Sequence, residues 1–190
     1  MKRLIGVLAA SGVITLACNG DRPVAGLPQS AVQTQILLTD APFPYSSVRS
    51  VDIQIDRIDA SPTGDSLSNG GSQSWVTIAA PHRRYDLLAL RNGTTTLLGK
   101  TALSAGQYQE IRIVLDTDSS DVLAADGTPI AVNWGWSGIV TVNVLVQNPL
   151  QIAGPGATIT LDFNVDHSFA PNASGGFNFL PWILATATGS

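Results

Sequence analysis

The sequence predicts an all-β protein, a two-layer antiparallel β-sandwich of immunoglobulin-like or transthyretin-like kind, with a closed barrel as the runner-up. Three observations lead there. Four stretches alternate apolar and polar residues with a period of two. Carboxylates are almost all Asp, with Glu110 the single exception, and Asp suits turns and strand ends where Glu suits helices. No segment carries a capped apolar stripe at helical 3.6-residue spacing.

Val51, Ile53 and Ile55 alternate with Asp52, Gln54 and Asp56. Ile58 then falls on the opposite parity, which predicts a bulge near Arg57, because one extra residue inverts the facing of all that follow. Ile111, Ile113 and Leu115 alternate with Glu110 and Arg112. Val140, Val142, Val144 and Val146 alternate with Thr141 and Asn143. Ile159, Leu161, Phe163 and Val165 alternate with Thr160, Asp162 and Asn164. Each reads as a strand with one buried and one wet face. Shorter strands are predicted at Gln33–Thr39, Trp75–Ala79, Tyr85–Leu90, Thr95–Leu98, Val122–Ala124, Pro129–Asn133 and Phe177–Thr186; His82–Leu90 also fits a helical turn. Asn92-Gly93 and Asp126-Gly127 tolerate the positive φ that tight hairpin turns require. Gly64–Ser74, polar and rich in Gly and Ser, reads as a long loop. Half-buried strands joined by hairpins, without crossover helices, imply antiparallel sheets, and eight to eleven of them bury their apolar faces best in two layers.

The N-terminus has a separate logic. Lys2 and Arg3 precede an apolar, small-residue run from Leu4 to Ala17 that ends at Cys18, the layout of a secretory signal. The run is too short to span about 30 Å of hydrocarbon. Cys18 is the only cysteine, so an internal disulfide is excluded. Thr15-Leu16-Ala17-Cys18 resembles the lipobox of bacterial lipoproteins, which implies a diacylglyceryl thioether on Cys18 and a mature chain starting there. Thr15 departs from that pattern, which usually has Leu three residues before the cysteine. Asn19 after the cysteine resembles lipoproteins passed on to an outer membrane. Residues 19–30, NGDRPVAGLPQS, form an expected tether that at full extension reaches roughly 40 Å. Residues 31–187 are then one domain. Excluding Lys2 and Arg3 takes the formal charge from −4 to −6, and a mildly acidic chain whose remaining lysine is Lys100 argues against nucleic acid as a partner.

Five ordered motifs carry a further resemblance: Leu37-Leu38-Thr39-Asp40-Ala41-Pro42, Tyr85-Asp86-Leu87-Leu88-Ala89-Leu90-Arg91-Asn92-Gly93, Leu103-Ser104-Ala105-Gly106-Gln107-Tyr108-Gln109-Glu110-Ile111-Arg112, Leu161-Asp162-Phe163 and Leu180-Pro181. Over Gln33–Ile183 the chain resembles the bacterial lipoprotein family known only as domain of unknown function 4382. That resemblance implies a sandwich-like extracytoplasmic domain, often lipid-anchored, and brings no established activity or site residues. Asn164 departs from it where a second Asp often follows the Asp-Phe pair.

Local chemistry is sparse. His82 and His167 have no ligand spacing between them, which argues against a His/Cys zinc site, and no nucleophile-elbow, zincin or phosphate-loop motif is present. Asp116, Asp118 and Asp121 follow a strand at intervals that suit oxygen ligation of Ca²⁺, or simply form a polar loop. Asp162, Asn164 and Asp166 share one face of a predicted strand, as do Asp52 and Asp56, where solvated faces and edge protection are the cheaper account. Trp134-Gly135-Trp136 offers two indoles for a sugar or protein partner if exposed, and a cap on the sandwich if folded back. Trp75 and Trp182 are expected in the core, and Tyr108 at a sheet corner. The functional expectation is a lipid-anchored, non-catalytic envelope module, structural or binding a glycan or protein. The alternative is a metal-dependent or glycan-acting enzyme using the aspartates.

Overall fold

Alternating burial builds both layers. In the computed structural model, which describes residues 30–41, 43–62 and 74–189, the first strand, β1 (Ala31–Thr39), turns Val32, Thr34, Ile36 and Leu38 inward and its other residues outward. The expected signal segment, the expected tether apart from Ser30, and the expected Gly64–Ser74 loop apart from Ser74 lie outside the described residues. β1 sits inside a four-stranded sheet. It is antiparallel to β5 (Thr96–Ser104) on one side and parallel to β12 (Gly156–Phe163) on the other, and β12 pairs in turn with β15 (Ile183–Gly189).

The second sheet is built on two long strands, β2 (Val48–Ser61) and β7 (Glu110–Ala124). β10 (Ile139–Val144) flanks β7, while β3 (Val76–Ala79) and β4 (Arg83–Asp86) pair with β2 and β8 (Pro129–Ile130) with β7. Two small sheets complete the fold: β6 (Gly106–Tyr108) with β11 (Leu150–Ile152), and β13 (Phe169–Pro171), β14 (Phe177–Phe179) and β9 (Val132–Asn133). A 3₁₀ turn, Leu87–Leu90, and one helical turn, α1 (Val165–Ser168), are the helical elements among the described residues. Ile36, Leu38, Leu161 and Phe163 of the first sheet and Ile53, Ile55, Ile58 and Ile113 of the second are fully buried in one cluster. Each contributes about 1.5–3 kcal/mol of apolar transfer. The arrangement is a two-layer β-sandwich, and neither sheet closes into a barrel.

The predicted bulge is present. Ile55 pairs with Leu115 and Arg57 with Val114, so Asp56 is the extra residue, after which Ile58 and Ala60 point into the core. A larger irregularity lies further along β7. Asp52 pairs with Asp121 and Gln54 with Asp116, leaving Thr117–Ser120 opposite Ile53 alone. The Ser120 hydroxyl donates to the Asp116 carbonyl at 2.6 Å and accepts the Gln54 N–H at 2.9 Å. It thereby replaces a lost ladder contact, and one strand runs where the alternation suggested two strands and a loop.

Other expectations are corrected. β1–β12 and β9–β14 are parallel, since pairing between distant segments leaves no local turn signature. Strand β12 stops at Phe163 because the Asn164 side chain accepts the His167 N–H at 3.0 Å and caps α1, so Val165 lies in a turn. The stretch around Tyr85–Leu90 is both things at once, a strand ending at Asp86 and then a 3₁₀ turn. Asn92 and Gly93 both adopt positive φ, at 59° and 79°, as their turn requires. Trp75 and Trp182 lie outside the strands, and Trp182 is 50% exposed.

The layers approach closely where Gly99 of β5 meets Ala79 of β3. A Cβ built on Gly99 would lie 2.9 Å from the Ala79 Cβ. Gly99→Val is therefore expected to lower stability by about 1–3 kcal/mol through overpacking, read as a lower urea midpoint at unchanged slope.

Candidate functional site

β1 and β12 run in parallel and end together at Thr39 and Phe163, where β5 begins at Thr96 and β15 at Ile183. The other end of this sheet holds Ala31, Ser104, Gly156 and Gly189. Asp40, Arg91, Asp162, Asn164, His167 and Trp182 thus gather at one end, opposite the point where the chain enters the domain.

Asp40 is 4% exposed. Its N–H donates to the Leu90 carbonyl at 3.3 Å, and its Oδ1 accepts the Val165 N–H at 3.0 Å. Burial pushes its carboxyl up to about 7; the Val165 bond opposes this, and the Asp162 charge adds to it. Asp40 Oδ2 and Asp162 Oδ1 are buried without hydrogen-bond partners, and burial raises the Asp162 carboxyl as well. Asp86 is also raised by burial, against the N–H groups of Val51 and Leu88 that it accepts at 3.3 and 3.0 Å.

Around these carboxyls the end is aromatic. Phe169 packs against Phe177, Phe179 and Trp134, and Phe163 against Phe179, with ring centroids 5.0–6.3 Å apart in the linked set. Trp182 stands outside the core, its ring 5.7 Å from that of His167, and its backbone N–H donates to the Ser168 Oγ at 2.9 Å. Leu180 is 62% exposed and Leu145 44%. Both belong to segments meeting here: the Leu180 N–H bonds to the Ser168 carbonyl and the Leu145 N–H to that of Ile183.

The tryptophan pair separates. Trp134 packs edge-on to Phe169 and Phe179, the cap expected of a folded-back loop. Trp136 is 54% exposed, turned away across Gly135 at φ 75°. Tyr108 is buried at a corner, its hydroxyl donating to the Ser104 carbonyl at 3.3 Å.

Asp116, Asp118 and Asp121 have separate partners. Asp116 accepts the Asp118 N–H at 3.0 Å and the Ser119 hydroxyl at 2.7 Å; Asp118 accepts the Gly138 N–H at 3.0 Å; Asp121 meets Arg84 at 2.8 Å. Asp52 lies 3.8 Å from the same guanidinium, and Asp56 takes Gln54 at 3.0 Å with His82 at 3.8 Å. Among the described residues, no three His, Cys, Asp or Glu converge as a metal-binding set, and no helix is long and apolar enough to cross a membrane. Cys18 lies outside the described residues.

A family model for a domain of unknown function (DUF4382) matches residues 31–181. The chain belongs to the DUF4382 family. No curated protein matches it. Within this DUF4382 domain, motifs widely separated in sequence meet at the end just described: Asp40 binds backbone on both the Leu90 and Val165 segments, and Asp86 caps the turn that supplies Leu90. Sequence reasoning passed over Asp40 and Asp59 as candidates. Asp40 follows a strand before Pro42, where an exposed turn residue is the ordinary expectation. Asp59 was legible in principle, since the predicted bulge already fixes its facing.

A carboxyl raised in the folded state holds its proton more tightly there than in the unfolded chain. Its stabilising contribution is complete below the unfolded value of 3.8 and is lost as pH rises through about 7. For Asp40 the loss amounts to about 4 kcal/mol at most, with Asp86 and Asp162 acting in the same direction. The urea midpoint of the DUF4382 domain is expected to fall between about pH 4 and pH 7, and Asp40→Asn to flatten that decline. A wild-type midpoint constant over this interval would contradict the burial of Asp40.

Proposed function

We propose that this protein is a non-catalytic binding module held on the cell envelope by a lipid on Cys18, engaging its partner through the end of the sandwich that bears Trp182. The observation that carries this is polarity. The chain enters at Ala31, while the exposed Trp182 and Leu180 lie beyond the opposite ends of the same strands. A tether from Cys18 to Ser30 would lift the domain by up to roughly 40 Å and direct the Trp182 end away from the bilayer. Two or three acyl chains, at about 0.8 kcal/mol per buried CH₂, would make the attachment permanent.

The aspartates support a binding role over a catalytic one. Asp86, Asp116 and Asp118 are spent on backbone N–H groups and Asp121 on Arg84, so their work is structural. Exposed Trp beside exposed Leu is the composition of a recognition surface for a protein or glycan of the envelope.

Two measurements test this. Cys18→Ser is expected to move the protein from the membrane fraction to the soluble fraction and to abolish incorporation of an alkyne-labelled fatty acid; unlabelled Cys18 in the wild type would refute the anchor. Trp182→Ala is expected to lower binding to purified envelope material about tenfold without changing the unfolding midpoint. Equal binding by the two proteins would remove this end from recognition.

A further inference from the structure

The bulge at Asp56 has created a second surface, on the outer face of the other sheet. Before it, Ile53 and Ile55 face the core; after it, Ile58 and Ala60 do, so Arg57 and Asp59 are turned outward. Asp59 then lies in a row across three strands, between Thr77 of β3 and Arg112 of β7.

Asp59 is 2% exposed, and both its oxygens are occupied. Arg57 Nε contacts them at 3.0 and 3.1 Å, Arg112 Nε donates at 2.9 Å and the Thr77 hydroxyl at 2.8 Å. Burial alone would raise this carboxyl; the bonds from Thr77, Arg112 and Arg57 outweigh it and hold Asp59 below the usual carboxylate range. Asp59 is therefore ionised, and it balances one of the two guanidinium charges. Glu110, two residues before Arg112 on the same strand, is also engaged in an interaction.

Both arginines spend Nε on Asp59, and their Nη groups have no hydrogen-bond partner among the described residues. Arg112 is fixed in plane as well, its guanidinium carbon 4.2 Å from the centre of the Trp75 ring. Their side chains remain 44% and 27% exposed for Arg57 and Arg112 respectively. Two guanidiniums oriented beforehand by one carboxylate, with their forked Nη edges left over, match the geometry of an oxyanion taken in bidentate fashion. An anion there would also relieve the repulsion between the two like charges. Trp75 carries Arg112 on one face and is half-buried, so the part of the indole left exposed is what the ring of a sugar would meet.

We infer that Arg57, Arg112 and Trp75 form a binding site for an anionic sugar, its carboxylate or phosphate held by the two guanidiniums and its ring laid against the indole. The site shares no residue with the Trp182 end and stands or falls separately from it.

The full-length protein in detergent is titrated with a galacturonic acid oligomer, glucose 6-phosphate, inorganic phosphate and a neutral oligosaccharide of similar length, followed by calorimetry and tryptophan fluorescence. The anionic sugars are expected to bind, more weakly at high salt, and the neutral one not to. Preference for the uronate or the phosphosugar identifies which anion the fork fits. Arg57→Lys keeps the charge and the Asp59 contact but loses the fork, and is expected to weaken binding about tenfold at an unchanged unfolding midpoint. Trp75→Ala is expected to abolish the preference for a sugar over inorganic phosphate. Failure of both anionic sugars to bind overturns the inference, as does binding indifferent to both Arg57→Lys and Arg57→Gln.

Discussion

The buried carboxyl of Asp40 holds the motif-bearing end of this domain together. It stands one residue beyond β1, takes the backbone N–H of Val165 and gives its own to Leu90. Three stretches of chain, far apart in sequence, are thereby joined at the exit of the central strands. A Leu or Val there would fill the space but leave the Val165 N–H without an acceptor, at a cost of about 1–3 kcal/mol. Glu would bring an extra methylene into a packed site. Asp costs something too, because its second oxygen is buried without a partner beside Asp162. The end is thus specified by a polar group that is itself imperfectly satisfied, and its preference for the protonated form follows from that.

The bias towards Asp over Glu, legible in composition, has a local explanation. Asp116 accepts the N–H of Asp118, Asp126 that of Thr128, Asp86 that of Leu88, Asn133 that of Gly135 and Asn172 that of Ser174. In each case a short side chain satisfies the backbone two residues on, a reach a Glu carboxylate does not share. In a fold made of strands and the turns between them, these bonds take the place of helix hydrogen bonding. What composition announced as a fold class is, residue by residue, a way of finishing strands.

How far the sequence could be read depended on the range of each signal. Period-two alternation located β2, β10, β12 and the first part of β7, while β5 was legible only in its opening residues, and the parity change at Ile58 located a bulge to within a residue. These signals arise within a few residues of each other. The union of Ile111–Leu115 with Val122–Ala124 in a single strand was hidden because Ser120 bridges the gap with its side chain, and an Asp/Ser-rich stretch reads as a loop. The parallel pairing of β1 with β12 was hidden for the opposite reason: nothing near either strand encodes it. At the candidate sites the same division holds. That Trp134 and Trp136 part company was implicit in the glycine between them, whereas the exposure of Trp182 and the position of Trp75 under Arg112 depend on chain segments that alternation does not connect.

The central place of β1 governs the order in which the molecule can be made. Ile36 stands in register with Gly99 on one side and, about 120 residues later, with Ile159 on the other. A chain synthesised from its N-terminus exposes both edges of this strand until β5 arrives, and one edge until β12 arrives. Closing so long a loop before any contact repays it makes assembly slow. The earliest of the described strands thus waits about 120 residues for its second neighbour, and a nascent chain that has not yet reached Phe163 leaves one edge of β1 open.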